Sequence, residues 1–142
     1  MLTGQLIGGG RLTPADIGGK VLVVNFWNPF CGPCLREAPV LEGAERTLGP
    51  QGVEFVGVHY TGGDWPKSVS AASRFVSAHG ITYPVIEDPG SKLALEFGIV
   101  GIPSTVIVDA TGSLRYRILG AVDPGEIERL AGRLLGQSGG GS

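Results

Sequence analysis

Apolar positions along the chain fall into two kinds of run. Val21 to Trp27 is an almost unbroken β-branched and aromatic stretch, the mark of a strand buried on both faces and central in its sheet. Val53 to Val58 reads as a second buried strand, and Tyr83-Pro84-Val85-Ile86 as a short third. Between them the period changes. Leu35, Ala38, Val40, Leu41, Ala44 and Leu48 recur at helical spacing from Gly32-Pro33, a proline in the first turn, to a stop at Gly49-Pro50. Pro39 should kink that helix, because it removes one backbone bond and crowds the preceding turn. Val69, Ala72, Phe75, Val76 and Ala78 predict a helix over 67–79 ended by Gly80, and 91–97 a shorter one ended by Gly98. Thr105 to Val108 and Leu114 to Leu119 flank residues 109–112 as a hairpin. Residues 124–135 form a last amphipathic helix with Asp123 as its cap. At the start, residues 2–7 and 11–12 flank Gly8-Gly9-Gly10 as a hairpin, followed by a helical turn at Thr13-Pro14-Ala15-Asp16. No Lys-Ser/Thr or GxGxxG pattern follows the three glycines, so they are a turn and not a phosphate cradle.

Alternating strands and helices imply parallel strands with helices on both faces, and the late hairpin adds an antiparallel pair, so the class is α/β with a mixed sheet. A chain of 142 residues is long enough to bury one core without staples. One domain over residues 1–135 is expected, followed by a flexible Gly/Ser tail over 136–142. Charged residues are only 17% of the chain and the net charge is -2, with Lys and Arg scattered. There is no electrostatic footprint for nucleic acid or an anionic membrane. No apolar run approaches the ~18 residues of a membrane span, and no basic and apolar signal segment follows Met1. A soluble domain, monomeric, is the expectation.

The only two cysteines, Cys31 and Cys34, stand two residues apart directly after the first buried strand. A zinc site would need His59 and His79 as further ligands, and their spacing fits no finger or ribbon pattern, so no metal is expected. A structural staple closing so small a loop would constrain the unfolded chain little. A redox couple suits the strand-to-helix junction. Cys31 lies at the helix start, where free N–H groups and the dipole favour a thiolate, and Cys34 lies one turn inside. Cys31 is then the attacking sulfur and Cys34 the resolving one. Gly32 lets a substrate backbone come close, and Pro33 fixes the turn.

Trp27-Asn28-Pro29-Phe30-Cys31-Gly32-Pro33-Cys34 resembles the active site of thioredoxin-like proteins, with Pro39 at their helix-kinking proline and Ile102-Pro103-Ser104-Thr105 similar to their cis-proline loop. The resemblance runs from about residue 3 to 135. The N-terminal hairpin, the series Cys34-Leu35-Arg36-Glu37-Ala38-Pro39 and the extra helix and strand near residues 65–88 are most similar to TlpA/ResA-type thiol-disulfide oxidoreductases. What this implies is a thioredoxin fold with an N-terminal hairpin and a central helix-strand insertion. It also implies a reductant of protein disulfides, as in cytochrome c maturation, on the extracytoplasmic side of a bacterial membrane, with a tether outside this chain. Its partners would be a disulfide-containing protein and an upstream thiol donor, and no cofactor is required. The same resemblance makes Pro103 cis, with Ile102 and Phe30 framing a groove where an extended peptide adds as a strand.

Departures from the pattern carry their own expectations. Asn25 stands where thioredoxin has a buried acid, and Glu37 is the candidate to replace it; its plain alternative is a solvated carboxylate paired with Arg36 or a lysine. Phe30 replaces the usual Trp. Trp27 is either core or a flank of the site, and the motif favours the flank, as a substrate contact; Trp65 either anchors its loop or acts as a lid, and the anchor is the expectation; His59 is a satisfied polar residue unless it approaches the site from its strand end, and His79 an exposed cation at a helix end. Two rivals share the fold: a thiol peroxidase, for which Asn28 stands in the wrong place for the usual Thr, and a copper metallochaperone, for which no later loop supplies a suitable His.

Overall fold

The computed structural model describes residues 2–140. Strand β3 (Val21–Trp27) is buried along its whole length and lies at the centre of a five-stranded sheet. Strands β4 (Val53–His59) and β5 (Val85–Glu87) extend it in parallel on one side. Strands β6 (Ser104–Val108) and β7 (Leu114–Leu119) extend it antiparallel on the other, giving the order β5-β4-β3-β6-β7. Alternation along β3 splits its side chains between two cores. Leu22, Val24 and Phe26 meet Val56, Val58 and Val106 under helices α1 (Pro14–Ile17) and α4 (Lys92–Glu96). Val21 and Val23 meet Phe55 and Ile107 under α2 (Gly32–Leu48) and α5 (Glu126–Gly140). Helix α3 (Val69–Ala78) covers the same face further along, with Ala72 and Phe75 against Trp27 and Val85.

Both sheet edges are protected. The hairpin of β1 (Gly4–Gln5) and β2 (Arg11–Leu12) lies against β5, where Leu6 bridges Ile86 and the Ile7 N–H donates to the Val85 carbonyl at 2.9 Å. At the other edge β7 carries Arg115 and Arg117, charges that discourage a further strand. Helix α2 continues without a break through Pro39 and runs on into a 3₁₀ turn over Gly49–Gln51, which ends at Gly52 with φ 96°. Leu41 from the middle of α2 is buried, a contribution of roughly 1.5–3 kcal/mol for such a side chain.

The last helix begins two residues later than its pattern suggests. Gly125 has φ 84°, outside the helical region, so Pro124-Gly125 is a turn, and the Asp123 N–H donates to the Glu126 carboxylate at 3.1 Å. The helix then runs through Gly140, over residues assigned from composition to a flexible tail; 141–142 lie outside the described residues. Among the described residues no helix is long and apolar enough to cross a membrane.

Candidate active site

Strand β3 delivers the chain to the site. After Trp27, Asn28-Pro29-Phe30 turns outward, the Cys31 N–H donates to the Asn28 carbonyl at 3.0 Å, and α2 starts at Gly32. Cys31 is the N-cap of α2, with extended φ -93° and ψ 113°, and its Sγ accepts from the Cys34 N–H at 3.2 Å. A sulfur in this place takes the role of a capping oxygen, and the same free N–H groups would stabilise it as a thiolate. Cys31 and Cys34 are joined as a disulfide, with Cα atoms 5.3 Å apart, and each residue is only 2% exposed. Pro33 sits in the first helical turn, where its missing N–H has no partner to lose.

One helical turn past Cys34 lies a buried carboxyl. Glu37 is 2% exposed, so the solvated carboxylate paired with Arg36 is not what the fold makes. Its Oε1 accepts from Asn25 Nδ2 at 2.7 Å and its Oε2 from the Val122 N–H at 3.1 Å. Asn25 Nδ2 also reaches the Thr105 hydroxyl at 3.1 Å, which links β3, β6, α2 and the turn before α5 in one network. Burial raises the Glu37 pKa above its ordinary value, while the Asn25 and Val122 bonds work in the opposite direction. The acid absent from the strand at Asn25 is therefore present on the helix, one turn past Cys34.

The Ile102–Pro103 peptide is cis. Pro103 is buried, its carbonyl accepts from the Gly120 N–H at 2.8 Å, and half-buried Ile102 packs against the cluster that contains both cysteines. Phe30 is 60% exposed beside Cys31, and Gly32 and Pro33 are at least partly open to solvent. These residues offer a surface. Trp27 does not: it is 2% exposed, stacked on Phe75 with ring centres 4.6 Å apart. Strand parity points Trp27 to the same face as Val21, Val23 and Asn25, where α3 covers it and it packs with both cysteines, a core position and not an exposed flank.

His59 is fully buried, with Nδ1 3.1 Å from Glu87 Oε1, and His79 is half-buried, stacked on Phe75 at 4.2 Å, and so less exposed than expected. Among the described residues no three His, Cys, Asp or Glu side chains gather where they could hold one ion. Sequence reasoning missed the roles of Thr105, Val122 and Asn28. The one signal for the first was available: Asn25 and Thr105 are polar residues inside buried strand runs, and such residues need partners.

The family model described as Redoxin matches residues 6–134. The chain belongs to the Redoxin family. Among individual members it is 34% identical over 125 residues to the thiol:disulfide interchange protein HelX of Rhodobacter capsulatus, covering 87% of this chain and 66% of HelX. It is 34% identical over 113 residues to the thiol:disulfide interchange protein DsbE of Pseudomonas aeruginosa, covering 80% of this chain and 58% of that one. The chain thus spans less than two thirds of either relative. Among solved structures, MTB DsbF in mixed oxidised and reduced forms superposes with a TM-score of 0.82 at 25% identity, covering 94% of both chains. A DsbF homologue from Corynebacterium diphtheriae gives 0.81 at 28% identity, covering 94% of this chain and 83% of that one. This Redoxin domain has the thioredoxin fold, with its disulfide at the carboxyl end of the central strand.

Proposed function

We propose that this domain is a thiol-disulfide oxidoreductase that reduces disulfides in proteins through the Cys31-Cys34 couple. The observation that carries the reading is a paired Cys31 and Cys34 at a helix N-terminus with the buried Glu37 carboxyl one turn further on. In the reduced protein the Cys31 thiolate attacks one sulfur of the substrate disulfide, and the other substrate sulfur leaves as a thiolate. Cys34 then attacks Cys31 Sγ, releases the substrate's second thiol and closes the Cys31–Cys34 bond. Glu37 exchanges a proton with Cys34 in that step, and an upstream thiol donor returns two electrons. Phe30, Ile102 and the Pro103 loop border the substrate segment. No cofactor enters the reaction.

The names of HelX and DsbE, both thiol:disulfide interchange proteins, support this activity. The TlpA/ResA resemblance supports an extracytoplasmic place and a role in cytochrome c maturation. The test is Cys34→Ser, which removes the resolving sulfur. It should accumulate a mixed disulfide on Cys31 with substrate, whereas Cys31→Ser should accumulate none. A Cys34→Ser variant that traps nothing would overturn the order of attack. Equilibration with defined dithiol buffers then reads the direction: a potential near about -270 mV fits a reductant, and one near about -120 mV an oxidant.

A further inference from the structure

One buried side chain ties three stretches of backbone together beside the disulfide. Asn28, with 0% exposure, donates from Nδ2 to the Tyr60 carbonyl at 3.0 Å and to the Pro66 carbonyl at 2.9 Å, and its Oδ1 accepts from the Phe30 N–H at 3.0 Å. Both amide hydrogens and the oxygen are used. The two carbonyls belong to the two ends of the loop over residues 60–66, and the third partner is the residue before Cys31. That loop carries Trp65, half-buried against the cluster of Trp27, Cys31, Cys34, Ala72, Phe75 and Val85.

The sheet order places this loop opposite the proline loop. Residues 60–66 follow β4 and Ile102–Pro103 precede β6, and β4 and β6 are the two neighbours of β3. Trp65 and Ile102 both pack on the cluster that contains Cys31 and Cys34. Merely anchoring the loop does not require the indole. The loop's ends are already held by Asn28, and the Trp65 N–H closes a turn onto the Gly62 carbonyl at 3.2 Å. A large aromatic ring left half open on the cluster of a 2% exposed disulfide is instead placed to meet what approaches that cluster.

We infer that Trp65 is a specificity-determining residue and Asn28 its positioning residue: together they form the second wall of the groove over Cys31–Cys34. The wall admits an extended polypeptide disulfide with an apolar side chain beside its cysteine, which can lie across the indole and the exposed Phe30 ring. It hinders small thiols and disulfides, which gain nothing from that contact. This rests on the oxidoreductase reading for the substrate class, though the shielding itself concerns only the protein's own disulfide.

The test compares Trp65→Ala, Trp65→Phe, Asn28→Ala and the double alanine variant with the parent in two reactions. In the first, dithiothreitol reduces Cys31–Cys34; it supplies two electrons and becomes its own cyclic disulfide. In the second, the reduced protein meets either oxidised glutathione or a linear peptide disulfide with Leu or Phe beside cysteine. Trp65→Ala should speed the dithiothreitol and glutathione reactions and slow the peptide reaction, each by roughly three- to tenfold, the worth of one aromatic contact. Trp65→Phe should restore most of the peptide rate. Asn28→Ala should shift rates the same way, and the double variant should go no further than Trp65→Ala alone. Equal changes in both reactions, or changes under about twofold, would overturn the inference. The Trp65 variants keep the test open if Asn28→Ala does not fold. If the parent reacts with dithiothreitol but its reduced form attacks neither disulfide, the oxidoreductase reading falls, while the dithiothreitol rates still judge the shielding.

Discussion

Glu37→Gln tests the buried acid, and the network around it sets what to expect. The Val122 N–H is backbone and cannot turn, so the new side chain's carbonyl oxygen must face it and its amide nitrogen must face Asn25. Asn25 can rotate its carboxamide to present Oδ1, which then accepts from the introduced amide and from the Thr105 hydroxyl. The rotation turns both Asn25 Nδ2 hydrogens away from their present acceptors, so the variant should fold with a loss of about 1–3 kcal/mol. Glu37→Ala would instead strand the Asn25 and Val122 donors, at about 1–3 kcal/mol each. The titration has a definite sign. Burial raises the Glu37 pKa above its ordinary value of 4.5, so between that value and the raised one the folded protein holds more protons than the unfolded chain. Its stability therefore falls as pH rises through that window and levels off above it, losing about 1.4 kcal/mol for each pH unit the window spans. Glu37→Gln has no such loss, and its stability relative to the parent should climb over the same window. In turnover, removing a proton carrier next to Cys34 should slow disulfide reduction by about a hundredfold, the low end for acid-base catalysis, and remove the corresponding limb of the pH-rate profile. Urea unfolding at several pH values and stopped-flow reduction of a peptide disulfide read the two effects. A stability difference independent of pH, together with an unchanged rate profile, would refute both the burial argument and the proton role.

Asn25→Asp puts a second carboxyl where Asn25 lies 2.7 Å from Glu37; the pair should share a proton and titrate in two steps, and melting temperatures that fall no faster with pH than the parent's would contradict this. Gly57→Ala adds a Cβ 3.0 Å from Trp27 Nε1, 3.2 Å from Val85 and 3.3 Å from Tyr83, an overpacking worth roughly 1–3 kcal/mol; an unchanged urea midpoint would show that the indole yields freely. Asp109 is held down to about 2 first by the Thr111 hydroxyl, then by the Ser113 N–H, with Arg115 and the Thr111 N–H adding to them. Its stabilisation is present above the ordinary value of 3.8 and lost as pH falls through about 2. Asp109→Asn should therefore flatten the acid limb of a melting curve taken between about pH 2 and 5, and parallel curves would contradict the assignment.

What the sequence makes legible follows from the range of the interactions. Strand β3 is readable because both faces of a central strand are apolar, and β7 because turn residues bound an alternating run. The Cys31-Cys34 pair, Pro103 and Glu37 are readable because their chemistry depends on short spacing and motif. The start of α5 is not, because Asp123-Pro124 has every mark of a helix start and only the backbone conformation of Gly125 delays it. Long-range partners are hidden for a different reason. Glu37 meets Val122 across 85 positions and Asn25 meets Thr105 across 80, and nothing in either local pattern names the other. Asn28 looks like a loop polar residue, and its bonds to the Tyr60 and Pro66 carbonyls exist only once β3 and β4 are adjacent.

The exchange of an acid for Asn25 on the strand has a physical consequence beyond relocating a carboxyl. Asn25 brings donors and no charge, so the network of Asn25, Glu37 and Val122 holds one carboxyl, whose two oxygens each face a different N–H. Those bonds favour the carboxylate, because a proton on either oxygen would find a donor where it needs an acceptor. Desolvation favours the neutral acid and is the larger effect, as the raised pKa shows. The two effects oppose each other, and the balance lies above the ordinary carboxylic value. A strand acid added beside Glu37 would spoil this, since two carboxyls at hydrogen-bond distance titrate as a pair with one proton held strongly. A single group gives one step in the pH dependence of Cys34 chemistry and a coupled pair gives two, so the shape of that curve distinguishes the arrangement found here from one with acids on both strand and helix.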